Sequence, residues 1–121
     1  MISPVSVIIY GVLVILIDLP WLYLVGPWAS DMIRSIQTRP MELRLWPAAV
    51  VYLAIGVLLN FASSVQDAAI IGLMTYAVYD FTNYSTLTRY QLPFAIADST
   101  WGGVLFATAY YVKNKVLAKW L

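Results

Sequence analysis

Apolar positions gather into four long stretches, residues 3–24, 45–61, 68–87 and 92–112, separated by three polar connectors. Each stretch holds about 17–22 residues, enough for a helix to cross a hydrocarbon layer about 30 Å thick. The pattern predicts an all-α, multi-pass integral membrane protein, with four transmembrane helices in an antiparallel bundle forming a single domain over 1–121. Pro4, Pro47 and Pro93 fall just inside the starts of the first, second and fourth stretches, where a missing N–H does no harm. The first connector, 25–44, carries Asp31, Arg34, Arg39, Glu42 and Arg44. Met32, Ile33 and Ile36 would give a short interfacial helix there its apolar face. The connector at 62–67 is short and predicts a tight antiparallel hairpin of helices two and three. The connector at 88–91 is also short and contains Arg89.

Composition points the same way. Of 121 residues, 62% are hydrophobic and 11% charged, where a soluble domain has roughly 45–50% and 25%. Mean hydropathy is +0.79. A net charge of +1 offers no basic surface for nucleic acid. The expected partners are the lipid bilayer and a second copy of the chain or another membrane protein. Cysteine is absent, which removes disulfides and thiolate chemistry. Histidine is absent too, and with it the usual proton shuttle and the commonest metal ligand. The lysines stand at 113, 115 and 119, outside the helices, so no Schiff-base lysine is available. No cofactor is expected. The first stretch lacks a basic leader and is too long for a signal-peptide core, so it is read as a retained helix. Four arginines (Arg34, Arg39, Arg44, Arg89) on one side face three lysines on the other, a bias too small for the positive-inside rule, though it favours the arginine side in the cytoplasm.

Candidate chemistry lies in three aspartates inside the apolar stretches: Asp18, Asp80 and Asp98. A carboxylate at mid-helix in a bilayer costs roughly 2.5–3.5 kcal/mol on insertion scales, so each needs a partner or a purpose. An aromatic or amide side chain follows three residues after each: Trp21, Asn83 and Trp101. Counted from the stretch ends, all three carboxyls lie about 9–10 Å below the arginine-side boundary. On the third stretch, Ala68, Gly72, Tyr76, Asp80 and Tyr84 form one helical row beside Asn83. On the fourth, Asp98, Trp101, Gly102 and Leu105 share a face, and Ser99, Gly103 and Ala107 have the small-residue spacing that lets membrane helices touch. Pro20 frees the Leu16 carbonyl near Asp18. The polar site is therefore assigned to Asp18, Asp80, Asn83, Asp98, Tyr76, Trp21 and Trp101. Arg89 is the candidate for gating, by leaning back toward the acidic cluster, or for phosphate contact. Each feature also has a purely structural reading, in which the aspartates fix helix register and the tryptophans, Trp46 above all, form an interfacial belt.

These residues carry a resemblance. The run from Gly72 to Leu87 (Gly-Leu-Met-Thr-Tyr-Ala-Val-Tyr-Asp-Phe-Thr-Asn-Tyr-Ser-Thr-Leu), then Leu92-Pro93 and Asp98-Ser-Thr-Trp-Gly-Gly-Val-Leu105, resembles the signature of the uncharacterised membrane-protein family numbered 2177 among domains of unknown function. Asp18-Leu-Pro-Trp-Leu22 and Trp46-Pro-Ala48 are similar to its first- and second-helix motifs. The aromatic Asn83-Tyr84-Ser85 and the lysine-bearing tail depart from the pattern. The resemblance implies a four-helix integral membrane protein and no activity.

Three functions compete. In the first, the aspartates and Asn83 bind or conduct a proton, a cation or a small polar solute, with the chain assembled as an oligomer because four helices are few for a transporter. No potassium-filter sequence or inverted repeat is present. The second is a membrane-embedded enzyme acting on lipid, with paired carboxyls as acid and base or holding Mg²⁺; no nucleophile motif supports it. The third is a non-catalytic subunit or assembly factor whose polar cluster fixes the bundle.

Overall fold

The computed structural model describes residues 2–120, which form helices and no strand. Four α-helices run in chain order: α1 (Pro4–Gln37), α2 (Leu45–Leu59), α3 (Val65–Thr86) and α4 (Leu92–Tyr111). A π-helical turn, Val112–Val116, and a 3₁₀ turn, Leu117–Lys119, extend α4. Among the described residues α1 alone is both long and apolar enough to qualify as a bilayer span; α2 is apolar but has 15 residues. At 22 and 20 residues α3 and α4 have the length without the hydropathy. Their helices carry Asp80, Asn83, Asp98, Ser99 and several threonines.

Helix α1 is longer than the sequence pattern predicts. The first apolar stretch ends at Leu24 and a polar connector follows, yet the helix runs 34 residues with Pro20 and Pro27 inside it. Each proline withdraws one backbone N–H, a loss of helix stability that burial further along offsets. Met32 is 2% exposed in a cluster with Tyr90, Phe94 and Ala95, and Trp28, Ala29 and Ile36 pack against it. The expected separate interfacial helix is thus a continuation of α1, and Met32 and Ile36 face protein. Thr38 ends the helix in the left-handed region (φ 63°), its N–H bonded to the Arg34 carbonyl at 2.9 Å.

The predicted hairpin of α2 and α3 also needs correction. Despite the short link these helices barely touch, and the extensive pairings are α3 with α4 and α1 with α2. Glycine decides where helices approach. A Cβ on Gly72 would overlap the Gly102 carbonyl oxygen and stand 2.6 Å from the Phe106 Cβ. A Cβ on Gly56 would lie 2.5 Å from the Val7 carbonyl oxygen, locking α2 onto α1. The two hairpins, α1–α2 and α3–α4, then meet mainly along α1 and α4. Their shared core holds Tyr10, Val14, Ile55, Leu59, Leu105 and Phe106.

Candidate functional site

The α1–α4 seam holds a reciprocal clasp. Trp101 on α4 donates its indole N–H to Asp18 Oδ1 on α1 at 2.8 Å, while Trp21 on α1 donates to Asp98 Oδ1 on α4 at 3.2 Å. Between the two bonds the indoles stack, centroids 5.1 Å apart and planes 4° from parallel. The spacing of three residues in Asp18–Trp21 and Asp98–Trp101 puts each pair on one helix face, so antiparallel packing brings each carboxyl to the other helix's indole. Stacking holds both rings while each N–H reaches the carboxyl of the opposite helix.

Around the clasp, Asp18 and Asp80 gain further donors. Tyr52 of α2 donates its hydroxyl to Asp18 Oδ2 at 2.8 Å. Asp80 on α3 is fully buried and accepts from the Tyr90 hydroxyl at 2.7 Å and from Ser99 Oγ at 3.4 Å. Ser99 follows Asp98 directly on α4, so Asp80 meets α4 at the position next to Asp98. Every hydrogen bond to the three carboxyls comes from a neutral donor: Tyr52, Tyr90, Ser99, Trp21 or Trp101. Among the described residues no buried side-chain nitrogen or oxygen lacks a partner.

The other predicted residues divide. Tyr76 packs on the shared core, its ring over Gly102 and edge-on to Phe106 (6.2 Å, 85°). Asn83 is half-buried on α3 and makes no side-chain hydrogen bond to Asp80 among the described residues. Arg89 does not lean toward the acidic cluster. It is exposed, with φ 73°, and donates from Nη1 to the Ser35 carbonyl at 3.2 Å. That carbonyl belongs to the last turn of α1, which has no N–H partner of its own, so the guanidinium caps α1. Trp46 is 75% exposed and takes no part in the site. Among the described residues no three acidic side chains converge as a metal-holding group.

Three donors escape the sequence reading: Tyr52, Tyr90 and Ser99. Tyr90 lies in a connector, and Ser99 reads as a packing residue. Tyr52 had a signal, because it carries the only hydroxyl in α2. A carboxyl on a neighbouring helix seeking a hydroxyl partner from α2 had no other choice.

Comparison with family models matches residues 4–113 to the family described as predicted membrane protein (DUF2177), and the chain belongs to that family. No curated protein and no solved structure matches it.

Proposed function

We propose that this DUF2177 member spans the bilayer four times and that its intramembrane carboxyls bind and pass a proton. Support for the four spans comes from the outward faces of all four helices. Exposed apolar residues lie along each: Val12 and Leu16 on α1, Val50 and Leu53 on α2, Met74 and Val78 on α3, Ile96 and Val104 on α4. Among the polar residues that lower the hydropathy of α3 and α4, Asp80 and Ser99 turn to one another, while Thr75, Thr100 and Thr108 return their hydroxyls to carbonyls of their own helix, as in bundles surrounded by lipid.

The observation that carries the proton reading is a carboxyl cluster whose hydrogen-bond partners are all neutral. The hollows at the 37–51 loop and between α1 and α2 are not lined by any of the three aspartates. A solvated cation or polar solute needs such space, whereas a proton needs an acceptor and a path. Asp80, bonded to Ser99, and Asp98 beside it in the chain supply the acceptors. The Asp18 clasp and Tyr76 continue the polar path toward α1 and α2.

The test is proton movement in liposomes that hold the protein and a pH-sensitive dye, beside Asp80→Asn and Asp98→Asn. Asparagine keeps the shape and can still accept the Tyr90 or Trp21 bond. Flux in the native protein that falls to the level of empty liposomes in both variants is the expected result. Equal leak in all three, with melting curves intact, would defeat the proposal. The cluster would then be a register-fixing device, a role its inter-helix hydrogen bonds also suit.

A further inference from the structure

At the arginine-bearing end, the loop between α1 and α2 encloses an open hollow of about 920 Å³. Gln37, Thr38, Arg39, Glu42, Arg44 and Pro47 line it. Gln37 Nε2 holds the loop in shape by donating to the carbonyls of Arg39 at 3.2 Å and Pro40 at 3.0 Å. Both arginine side chains remain exposed. From residue 40 to 44 the chain is neither helix nor turn, and Arg44 has extended geometry (φ −103°, ψ 123°). Leu43 lines the hollow between Glu42 and Arg44, and Leu45 and Trp46 follow at the start of α2. Leu43, Leu45 and Trp46 are 79%, 76% and 75% exposed, an apolar edge that water would not favour. A hydrocarbon–headgroup boundary satisfies both sides at once: aliphatic groups and an indole in the interface, guanidinium forks at phosphate level.

We infer that this hollow binds the phosphodiester headgroup of an anionic phospholipid, gripped by Arg39 and Arg44 and seated by Leu43, Leu45 and Trp46. The inference rests on the chain being embedded in a bilayer, as proposed above. Charge favours the assignment. Arg34, Arg39, Arg44 and Arg89 share this end with Asp31 and Glu42, four cations to two anions. Each arginine near an anionic surface contributes roughly fivefold to tenfold in binding, so two give on the order of 30-fold. Arg34 and Arg89 add to the field without lining the hollow.

The experiment places the full chain in nanodiscs of phosphatidylcholine, with and without phosphatidylglycerol, and counts retained lipid by native mass spectrometry after release. Compared beside it are the double variant R39Q/R44Q, a tail variant K113Q/K115Q/K119Q and the conservative R39K/R44K. The expected result is preferential retention of phosphatidylglycerol that falls at least tenfold in R39Q/R44Q, stays in the tail variant and is partly kept by R39K/R44K. Equal retention in native chain and R39Q/R44Q overturns the inference. So does an equal loss in the tail variant, which would mean diffuse attraction. Displacement of the lipid by millimolar inorganic phosphate would also overturn it, by assigning the hollow to a free anion. Alkaline extraction of the native chain separates the premise: a chain that stays with the membrane but shows no lipid preference fails this inference alone, and a chain that washes off fails the embedding.

Discussion

At the scale of single residues, the tightest constraint is Gly72. Its missing side chain lets α3 rest on the Gly102 carbonyl and on Phe106, and the Gly102 backbone in turn sits under the Tyr76 ring. An added methyl group has nowhere to go, because two of the obstructing atoms are backbone or Cβ. Gly72→Ala is therefore expected to destabilise the folded chain by about 1–3 kcal/mol, the usual effect of overpacking. Gly26 is the control, since a Cβ there meets nothing within 4 Å. In the interior of α1 its replacement by alanine should leave stability unchanged or raise it by roughly 0.5–1 kcal/mol. Denaturant titration in detergent reads both; two variants shifting in the same direction would refute the packing account. The row Ala68, Gly72, Tyr76, Asp80 was legible because helical spacing reveals a shared face. That Tyr76 lies against Gly102 was not, because spacing on one helix says nothing about which residue of its partner stands opposite.

At the scale of elements, α3 begins with a cap of its own outside the apolar span. Ser64 Oγ accepts from the Asp67 N–H at 3.0 Å, and Asp67 Oδ2 accepts from the Ser63 hydroxyl at 2.6 Å and the Ser63 N–H at 3.2 Å. The bond from the Ser63 hydroxyl, with the Ser63 backbone N–H next, holds the Asp67 carboxyl below its ordinary range against a small desolvation effect. A depressed folded-state pKa gives stability that is present above the unfolded value, near 4, and is lost as pH falls through the folded value. The first turn of α3 should therefore fray in acid, with the protection factors of the Asp67 and Ala68 amides, both bonded to Ser64, falling below about pH 4. Asp67→Asn should show one intermediate protection factor with that acid step removed; an unchanged step would assign it to another group. Element boundaries were only partly legible. Gly26-Pro27 carries strong breaker chemistry, but local chemistry yields when Trp28 and Met32 gain buried neighbours on α4. The α2–α3 pairing failed for a similar reason. A short connector fixes how far apart two helix ends lie, whereas the Gly72–Gly102 and Gly56–Val7 contacts decide which faces join.

At the scale of the whole molecule, the two hairpins are joined by a ladder in constant antiparallel register. Trp28 donates to Gln91 at 2.7 Å, Trp21 to Asp98 at 3.2 Å, and Trp101 to Asp18 at 2.8 Å. From Trp28 to Trp21 is about seven residues down α1, and from Gln91 to Asp98 the same distance up α4, two helical turns that return to one face. The next rung moves about three residues on each helix, again onto the same face. Beyond it, Asn114 in the π-helical turn donates to the Tyr10 hydroxyl at 2.8 Å, and Lys113 lies over the Tyr10 ring at 4.9 Å. Rungs of one ladder behave differently by separation, which a double-mutant cycle can read. Trp21→Phe and Trp101→Phe each leave a carboxyl oxygen short of a donor, costing about 1–3 kcal/mol. Together they should be non-additive, because the same two rings also stack, with a coupling of roughly 0.5–1.5 kcal/mol. Trp28→Phe lies about 15 Å along α1 from Asp18, whose bond Trp101→Phe removes. That pair should add to within about 0.5 kcal/mol. Additivity in the Trp21–Trp101 pair would mean that the clasp is two separate bonds. Strong coupling in the Trp28–Trp101 pair would mean that the hairpins part as rigid bodies, the whole seam opening at once. That second outcome bears on the proton path, since a seam that opens as a unit would carry Asp18 and Asp98 apart while leaving Asp80 with Tyr90 on the α3–α4 hairpin.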